Sequence, residues 1–378
     1  MNITNKPELG QYMTFEFSKE KPIHGWFWYK EGFAPEIVEW AIKNENNPKT
    51  VLDPFCGVGT TLLSAKNLGL ESVGVDASTL AVFVSKTKTD DYDQSDLETV
   101  RAFLEKQLPP PPNIRWEFEL FDVRAAFPKR NYNEILALRN AIEQEDDRVR
   151  NILLVGLLSI LPQSSLVLKD GGVLKIIKDK KALPAREIFK RRVKKMLKDL
   201  ELQKKGHGPR VFLGDARALN MEDESIDLVV TSPPYLNNID YSKIYGLELS
   251  LLSMSKAEAS EVRMRAIRSF IGKQMEVQDM PPEVGEIGER IPIIGTYFKD
   301  MELAIKEMFR TLREGGAAHV VVSNSVIHET HILVDEVFAQ MAERIGFADV
   351  EMVVGAERVA DVKPQKVKTR ESIVIMRK

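Results

Sequence analysis

Short apolar runs alternate with amphipathic segments at both ends of the chain, a pattern typical of a parallel sheet covered by helices. The first run, residues 50–53, leads through a glycine-containing turn to a helical segment at 60–68 and a second run at 72–76. After residue 209 the alternation resumes, with five further predicted strands at 210–213, 226–230, 317–323, 349–354 and 371–376. The pattern therefore predicts an α/β fold with a mainly parallel, seven-stranded sheet.

Residues 90–208 interrupt this alternation and have a mostly helical pattern. Their most apolar part, 152–161, stops at Pro162 and is too short to cross a bilayer, so it indicates a buried helix. We expect residues 1–89 and 209–378 to form one domain, with 90–208 as a large helical insertion. A second, shorter interruption covers residues 236–294.

The formal charge of −3 hides an uneven distribution. Residues 169–205 carry 14 basic and 5 acidic side chains, so the remainder of the chain is acidic. Within this stretch, 186–205 has the spacing of an amphipathic helix whose polar side includes Lys190, Arg191, Lys194, Lys195 and Lys198. A second basic run, 358–378, has seven basic and two acidic residues. Either surface is suited to a polyanion.

The chain has a single cysteine, Cys56. One cysteine excludes an intramolecular disulfide framework and a cysteine-built zinc site, and it is consistent with a reducing compartment. The first eleven residues lack the basic and apolar parts of a secretory signal. The five histidines form no metal-ligand pattern. We therefore expect a cytoplasmic location and no bound metal.

The first motif, which we call the glycine turn, covers residues 53–61 and reads Asp-Pro-Phe-Cys-Gly-Val-Gly-Thr-Thr. Gly57 and Gly59 allow a tight turn between a strand and the start of a helix, where backbone amides face a ligand. Asp76, at the end of the next strand, is placed to accept hydrogen bonds from a ribose diol. Because the three-glycine dinucleotide fingerprint is missing, an adenosine-containing ligand other than a dinucleotide fits better.

The second motif, the proline turn, covers residues 231–235 and reads Thr-Ser-Pro-Pro-Tyr after a buried strand. Its two prolines remove backbone donors and stiffen the turn, which leaves carbonyl groups to face a cleft. The Pro233 carbonyl and the Ser232 hydroxyl could accept hydrogen bonds from an exocyclic amine, with Tyr235 stacked on its ring. A flat heterocycle with an exocyclic amine is the predicted substrate.

Together, the two motifs resemble those of the S-adenosylmethionine-dependent DNA amino methyltransferases, over residues 25–85 and 210–378. The resemblance implies a Rossmann-like methyltransferase fold. It also implies a catalytic role for Ser232, Pro233, Pro234 and Tyr235. The serine form of the proline turn is typical of enzymes that methylate N4 of cytosine, whereas an aspartate is commoner in those that methylate N6 of adenine.

The same resemblance implies which residues hold S-adenosylmethionine. The methionine part would lie against the glycine turn, at Asp53, Phe55, Cys56, Gly57, Gly59, Thr60 and Thr61. The ribose would be held by Asp76 with Ala77 beside it, and the adenine flanked by Asp215 and Ala216. A further, N-terminal cofactor motif is matched by Tyr29, Phe33 and Pro35. Cys56 lies in the cofactor turn rather than beside the base, which argues against a cysteine nucleophile.

Direct transfer of a methyl group to an exocyclic amine requires the base to leave the duplex, so we expect base flipping on double-stranded DNA. The basic helix and Asn237, Asn238 and Tyr241, just beyond the proline turn, are the predicted nucleic-acid contacts, and 90–208 the predicted recognition region. Adenine N6 in DNA, an RNA amine and a catalytically silent nucleic-acid-binding protein remain alternatives. The target sequence, the oligomeric state and a partner restriction endonuclease stay open.

Overall fold

The computed structural model describes residues 2–170, 172–203, 206–237, 239–254, 258–269, 279–362 and 365–378. The strands in these ranges are β1 (Asn2–Asn5), β2 (Thr50–Asp53), β3 (Glu71–Asp76), β4 (Val167–Asp170), β5 (Val173–Ile176), β6 (Arg210–Leu213), β7 (Ile226–Thr231), β8 (Leu312–Ser323), β9 (Ser325–Ile327), β10 (Thr330–Ile332), β11 (Asp349–Val362) and β12 (Gln365–Arg377).

The helices in the same ranges are α1 (Pro35–Asn44), α2 (Thr60–Asn67), α3 (Thr79–Thr89), α4 (Gln94–Glu105), α5 (Lys129–Ile142), α6 (Asp147–Ser164), α7 (Ala185–Glu201), α8 (Tyr241–Ile244), α9 (Gly246–Ser253), α10 (Glu258–Arg265), α11 (Gly285–Arg290), α12 (Pro292–Thr311) and α13 (Val334–Ile345). Short 3₁₀ turns lie at Pro7–Tyr12, Phe15–Ser18, His24–Trp26, Val123–Ala126 and Pro282–Val284.

The main sheet has the order β1-β11-β12-β8-β7-β2-β3-β6. Only β12 runs antiparallel to its neighbours, so the predicted α/β fold with a mainly parallel sheet is confirmed. The predicted count of seven strands is wrong by one, because β1 pairs with β11 at the edge. This strand has the sequence Asn-Ile-Thr-Asn and is largely exposed, so it carries no apolar run by which a buried strand is recognised.

Both faces of the sheet are buried, which explains the continuous apolar runs of its strands. On one face, α12 and α13 pack on residues such as Leu52, Val229 and Val320. On the other, α1 packs on the alternate positions, such as Val51, Leu228 and Val321. Successive residues of one strand thus contribute to two different cores.

The segment between α3 and β6 contains α4–α7 and a separate hairpin of β4 and β5. Its core is continuous with Leu63 of α2, Leu80 and Val84 of α3, and Trp26 of the N-terminal segment. The buried helix expected at 152–161 lies within α6, but Pro162 does not stop it. Pro162 lies in the last turn, where it removes only one helical hydrogen bond.

The amphipathic helix expected at 186–205 is α7, which ends at Glu201. The last two residues of that prediction, Lys204 and Lys205, lie outside the described residues. In the described ranges, no helix combines the length and the apolar character needed to cross a membrane.

Candidate active site

The glycine turn and the proline turn meet at the carboxyl ends of β2 and β7, which are neighbours in the sheet. The Thr231 hydroxyl donates to Asp53 Oδ1 at 2.6 Å. The Thr61 hydroxyl donates to the Val230 carbonyl at 3.2 Å, which links the start of α2 to the end of β7. Chain crossovers leave β2 and β7 in opposite directions along the sheet, so a crevice forms at this point.

The glycine turn depends on two residues with positive φ, Gly57 (47°) and Gly59 (81°). A Cβ on Gly59 would lie 2.4 Å from the Ser85 hydroxyl, and one on Gly57 would lie 3.3 Å from the Tyr29 ring. Either side chain would therefore displace a wall of the turn. The turn is fixed to the next strand because the Gly57 amide donates to Asp76 Oδ2 at 2.9 Å.

Asp76 is also held on its other oxygen, where the Ser78 amide donates to Oδ1 at 2.8 Å. The Ala77 amide also hydrogen-bonds this carboxylate, which leaves acceptor capacity for one ligand hydroxyl. The backbone amide of Gly214 donates to the Asp76 carbonyl at 3.0 Å, so Asp215 follows at the same edge of the sheet. This geometry fits a ribose diol.

Asp53 is buried and Asp76 is half-buried, and no charged side chain in the described ranges lowers the pKa of either carboxyl group. Burial raises the pKa of Asp53 to about 6, although hydrogen bonds from Thr231, Thr61 and the Phe55 amide oppose the change. Burial likewise raises the pKa of Asp76. A ligand with a positive charge would compensate both carboxylates. These two carboxyl groups therefore fit a cationic ligand such as a sulfonium or an ammonium.

Tyrosine rings form a wall beside the glycine turn. Tyr29 stacks on Tyr245 with ring centroids 4.7 Å apart, and the Tyr245 hydroxyl donates to Glu31 Oε2 at 2.6 Å. Burial raises the pKa of the Glu31 carboxyl, while Lys169 and Lys30 act in the opposite direction. The sequence analysis found Tyr29 but missed Glu31 and Tyr245. No motif marks these two, because their contact joins residues that are 214 positions apart.

The proline turn brings Ser232 close to the Tyr235 hydroxyl, where it acts to lower the pKa of Tyr235. Burial, followed by the nearby Glu371 carboxylate, raises the pKa of Tyr235 far above its ordinary value. Glu371 pairs with Arg358 at 2.8 Å, so part of the C-terminal basic run lies near this turn. Pro233 is buried, whereas Ser232, Pro234 and Tyr235 are partly accessible to solvent.

The segment after the proline turn contains predicted nucleic-acid contacts. The Asn237 amide donates to the Tyr241 hydroxyl at 3.1 Å, and Asn237 is exposed. Asn238 lies outside the described residues. Tyr297 of α12, which was not predicted, is fully buried and lies close enough to Tyr235 and Tyr241 that they help to raise its pKa.

Several predicted cofactor residues lie in the core. Phe33 packs with Ile37 and Val51, and Pro35 is the first residue of α1. Ala216 is buried in the core under α12. Cys56 is buried, and its sulfur lies 3.0 Å from where a Cβ on Gly74 would be, which indicates packing. The side chains of these residues are thus packed in the interior.

The remaining predicted residues differ in exposure. Thr60 is buried, and Phe55 and Ala77 are half-buried. The Asp215 carboxylate accepts hydrogen bonds from the Arg217 side chain, at 2.7 Å for the Nη2–Oδ2 pair. Arg217 also pairs with Asp300 at 3.1 Å. The side chain of Asp215 is thus tied to the α12 side of the sheet.

The basic residues of α7 lie on an element separate from both turns. Arg191, Lys194, Lys195 and Lys198 are exposed, and Lys190 is half-buried. Lys190 pairs with Glu105 at 3.6 Å, and Lys195 pairs with Glu20 at 3.2 Å. The structure therefore gives two separate groups of predicted nucleic-acid contacts, one on α7 and one after the proline turn.

The sequence of this chain is similar to those of known methyltransferases. A sequence profile described as DNA methylase matches residues 18–86. The type II methyltransferase M.BsoBI of Geobacillus stearothermophilus is 26% identical over 97% of this chain and 87% of its own length. M.AvaI of Nostoc sp. is 27% identical over 89% of this chain and 81% of its own length. A solved SAM-dependent methyltransferase from Methanosarcina mazei has a TM-score of 0.32 and 11% identity, covering 90% of this chain and 96% of its own.

Proposed function

We infer from the chain's membership of the S-adenosylmethionine-dependent DNA amino methyltransferases that it methylates an exocyclic amine in DNA, and we propose N4 of cytosine. The direct contact between the glycine turn and the proline turn, through Thr231 and Asp53, carries this proposal. This contact supports the proposal because it joins the proposed cofactor turn to the proposed substrate turn at one crevice. Ser232, at the position where adenine-specific relatives commonly have aspartate, supports cytosine. Adenine N6 is the alternative.

S-adenosylmethionine is the proposed methyl donor, and its sulfonium supplies an activated methyl group. Two features of the site support it. Asp53 is a buried and Asp76 a half-buried carboxyl group, and a cation would compensate both. The Asp76 carboxylate can also accept a hydrogen bond from a ribose hydroxyl. We propose that Tyr29, which packs against Gly57, and the glycine turn form adjoining walls of the cofactor pocket.

The proposed reaction forms a nitrogen–carbon bond at the base amine and breaks the sulfur–carbon bond of the cofactor, whose sulfonium leaves as a neutral thioether. The methylated amine then releases one proton to solvent. Ser232 and the Pro233 carbonyl would accept hydrogen bonds from the amine and orient its lone pair towards the methyl group. Positioning is the main catalytic contribution of the protein. Ser232 is partly accessible to solvent, so its hydroxyl can be reached by an entering base.

Double-stranded DNA with a specific site is the proposed substrate, since the two relatives are named type II methyltransferases. The base would be flipped into the crevice, because a stacked base cannot reach a pocket at strand ends. Restriction–modification is the proposed biological setting, with an endonuclease of the same system as a proposed partner.

The direct test incubates the purified chain with methyl-labelled S-adenosylmethionine and unmodified bacteriophage DNA. Digestion to nucleosides and mass spectrometry should then detect N4-methylcytosine, and sequencing of the modified positions should define the site. N6-methyladenine would contradict the cytosine assignment. Label found in RNA but absent from DNA would contradict the substrate class.

Replacing Ser232 or Tyr235 by alanine should lower kcat by about 100-fold, because each removes a group that positions the base. The Kd for S-adenosylmethionine, measured by calorimetry, should change less than about threefold. Ser225→Ala, at the opposite end of the same strand, is the matched control and should retain full activity. Loss of cofactor binding in Ser232→Ala would mean that the proline turn is not the substrate turn.

A further inference from the structure

The β4–β5 hairpin has two chemically different faces. Its pairing register places Leu168 opposite Lys175 and Asp170 opposite Val173. These four residues therefore share one face, and all four are exposed. The opposite face contains Val167 and Leu174, which belong to the core of the insertion. The hairpin is thus packed on one side and open on the other.

The hairpin is anchored beside the candidate active site. Lys169 places its ammonium 4.1 Å from the centroid of the Tyr245 ring and 2.7 Å from Glu248 Oε1. Tyr245 in turn stacks on Tyr29, which lies beside Gly57 of the glycine turn. At the base of the hairpin, the Lys180 ammonium donates to the carbonyl of Val167 at 2.6 Å. The hairpin is therefore held at both ends of its length.

The tip of the hairpin lies against the segment that follows the proline turn. Gly172 has a φ of +104°, and a Cβ there would lie 3.2 Å from Cγ1 of Ile239. Ile239 is four residues beyond Tyr235, between Asn237 and Tyr241. The open face consequently begins at the rim of the crevice where the base would enter.

The open face combines aliphatic and basic character. Leu168 is 45% exposed and Val173 is 55% exposed. The stretch 169–181 contains five lysines and two aspartates. Lys175 and Lys178 are exposed on it. On the open face Lys175 pairs with Asp170 at 2.9 Å, so the aliphatic pair lies beside this ion pair, with the exposed Lys178 just beyond β5. Aliphatic side chains with lysines nearby are complementary to a base stack flanked by phosphates.

We propose that the β4–β5 hairpin enters the DNA duplex, with Leu168 and Val173 occupying the space beside the flipped base and nearby lysines contacting phosphates. This inference rests on the proposed function. Aliphatic side chains inserted at a base step offset the cost of unstacking. A second copy of the chain fits less well, since a stable dimer buries roughly 800 Å² on each partner and this face is formed by two four-residue strands.

The test compares wild type with the double variant Leu168→Ala/Val173→Ala on a duplex that carries the methylation site mapped above. Methylation of the matched duplex should fall by about tenfold. The loss should be smaller than about threefold on a duplex with a mismatch opposite the target base, because a mismatch already lowers the cost of flipping. 2-Aminopurine beside the target base should show less fluorescence with the variant, since the stack opens less often.

Leu202→Ala is the matched control, since Leu202 is 74% exposed and lies beyond the end of α7. It should behave as wild type, and all three proteins should bind S-adenosylmethionine equally. Equal losses on matched and mismatched duplexes, wild-type activity of the double variant, or a lower oligomeric mass of that variant would each overturn the hairpin proposal alone. A wild-type chain that methylates no DNA would overturn the proposed function as well.

Discussion

Asp53 shows how the candidate site affects stability at the level of one residue. The unfolded chain loses this proton near pH 3.8, whereas burial raises the pKa in the folded chain to about 6. Between these values the folded state binds more protons, so its stability decreases as the pH rises. Above pH 6 the folded protein carries an ionised, buried carboxylate, and this is the state that a cationic cofactor would compensate.

Asp53→Asn should therefore raise the midpoint of thermal unfolding of the cofactor-free protein at pH 8, by about 2 °C. The gain should decrease as the pH is lowered from 8 to 5, since wild type regains its proton. Scanning calorimetry over this range measures both effects. The same variant should bind S-adenosylmethionine at least about tenfold more weakly. A variant that is less stable than wild type at pH 8 would contradict this account.

The sequence predicted site residues only where they belong to a continuous motif. Asp53, Gly57 and Ser232 were recognised because neighbouring residues define a turn at a strand end. Glu31 and Tyr245 were missed because their hydrogen bond forms only after distant segments have packed. Phe33 matched a motif, but its side chain lies in the core with Ile37 and Val51. A motif covers residues that pack in the core as well as residues that face a ligand.

Helix α7 illustrates what periodicity alone specifies at the scale of an element. Its apolar positions, including Ile188, Val193 and Met196, are buried, and its basic positions are mostly exposed. By contrast, β1 and the β4–β5 hairpin were not predicted. β1 buries none of its residues and β4 and β5 bury one residue each, so no apolar run marks them, and hydrogen bonds to a partner strand define them.

If α7 follows the DNA backbone, Arg191→Ala/Lys194→Ala/Lys198→Ala should weaken binding and reduce the salt dependence of log Kd. The slope against log salt should become shallower by about 2 to 3, since each lost phosphate contact removes about 0.9. Fluorescence anisotropy from 50 to 200 mM salt measures this change.

A triple variant at Lys43, Lys49 and Arg210 is the control for charge. These residues are exposed, and Lys49 and Arg210 lie at the starts of strands, at the edge opposite the crevice. The control should keep the wild-type slope. If both triple variants change the slope equally, α7 has no special role and only net charge matters.

At the scale of the whole molecule, the insertion shares one core with α2, α3 and the N-terminal segment of the sheet domain. Trp26 of the N-terminal segment packs in the same cluster as Phe189 and Met196 of α7. Asp199, which is buried, completes this junction, because its Oδ2 accepts hydrogen bonds from the Ile23 amide at 3.2 Å and from Trp26 Nε1 at 2.9 Å. We therefore expect one cooperative unfolding transition.

Asp199→Ala should lower the free energy of unfolding by about 2–4 kcal/mol, since it leaves two buried N–H donors unpaired. Asp199→Asn should lose much less, because a single amide oxygen can replace the oxygen that accepts both bonds. Urea titrations followed by far-UV circular dichroism and by tryptophan fluorescence measure the change. Two separated transitions in wild type would contradict the shared core.

The hydrogen bond between Thr231 and Asp53 also has a consequence for protein synthesis. Its partners are 178 positions apart, and β7 must take its place between β2 and β8 before the crevice exists. At about 5–20 residues per second, a ribosome needs roughly 10–40 s to add that length of chain. The nascent glycine turn therefore waits, without its partner strand, until the second half of the chain emerges. A newly made molecule acquires the ability to modify DNA late, as one of the last events of its folding.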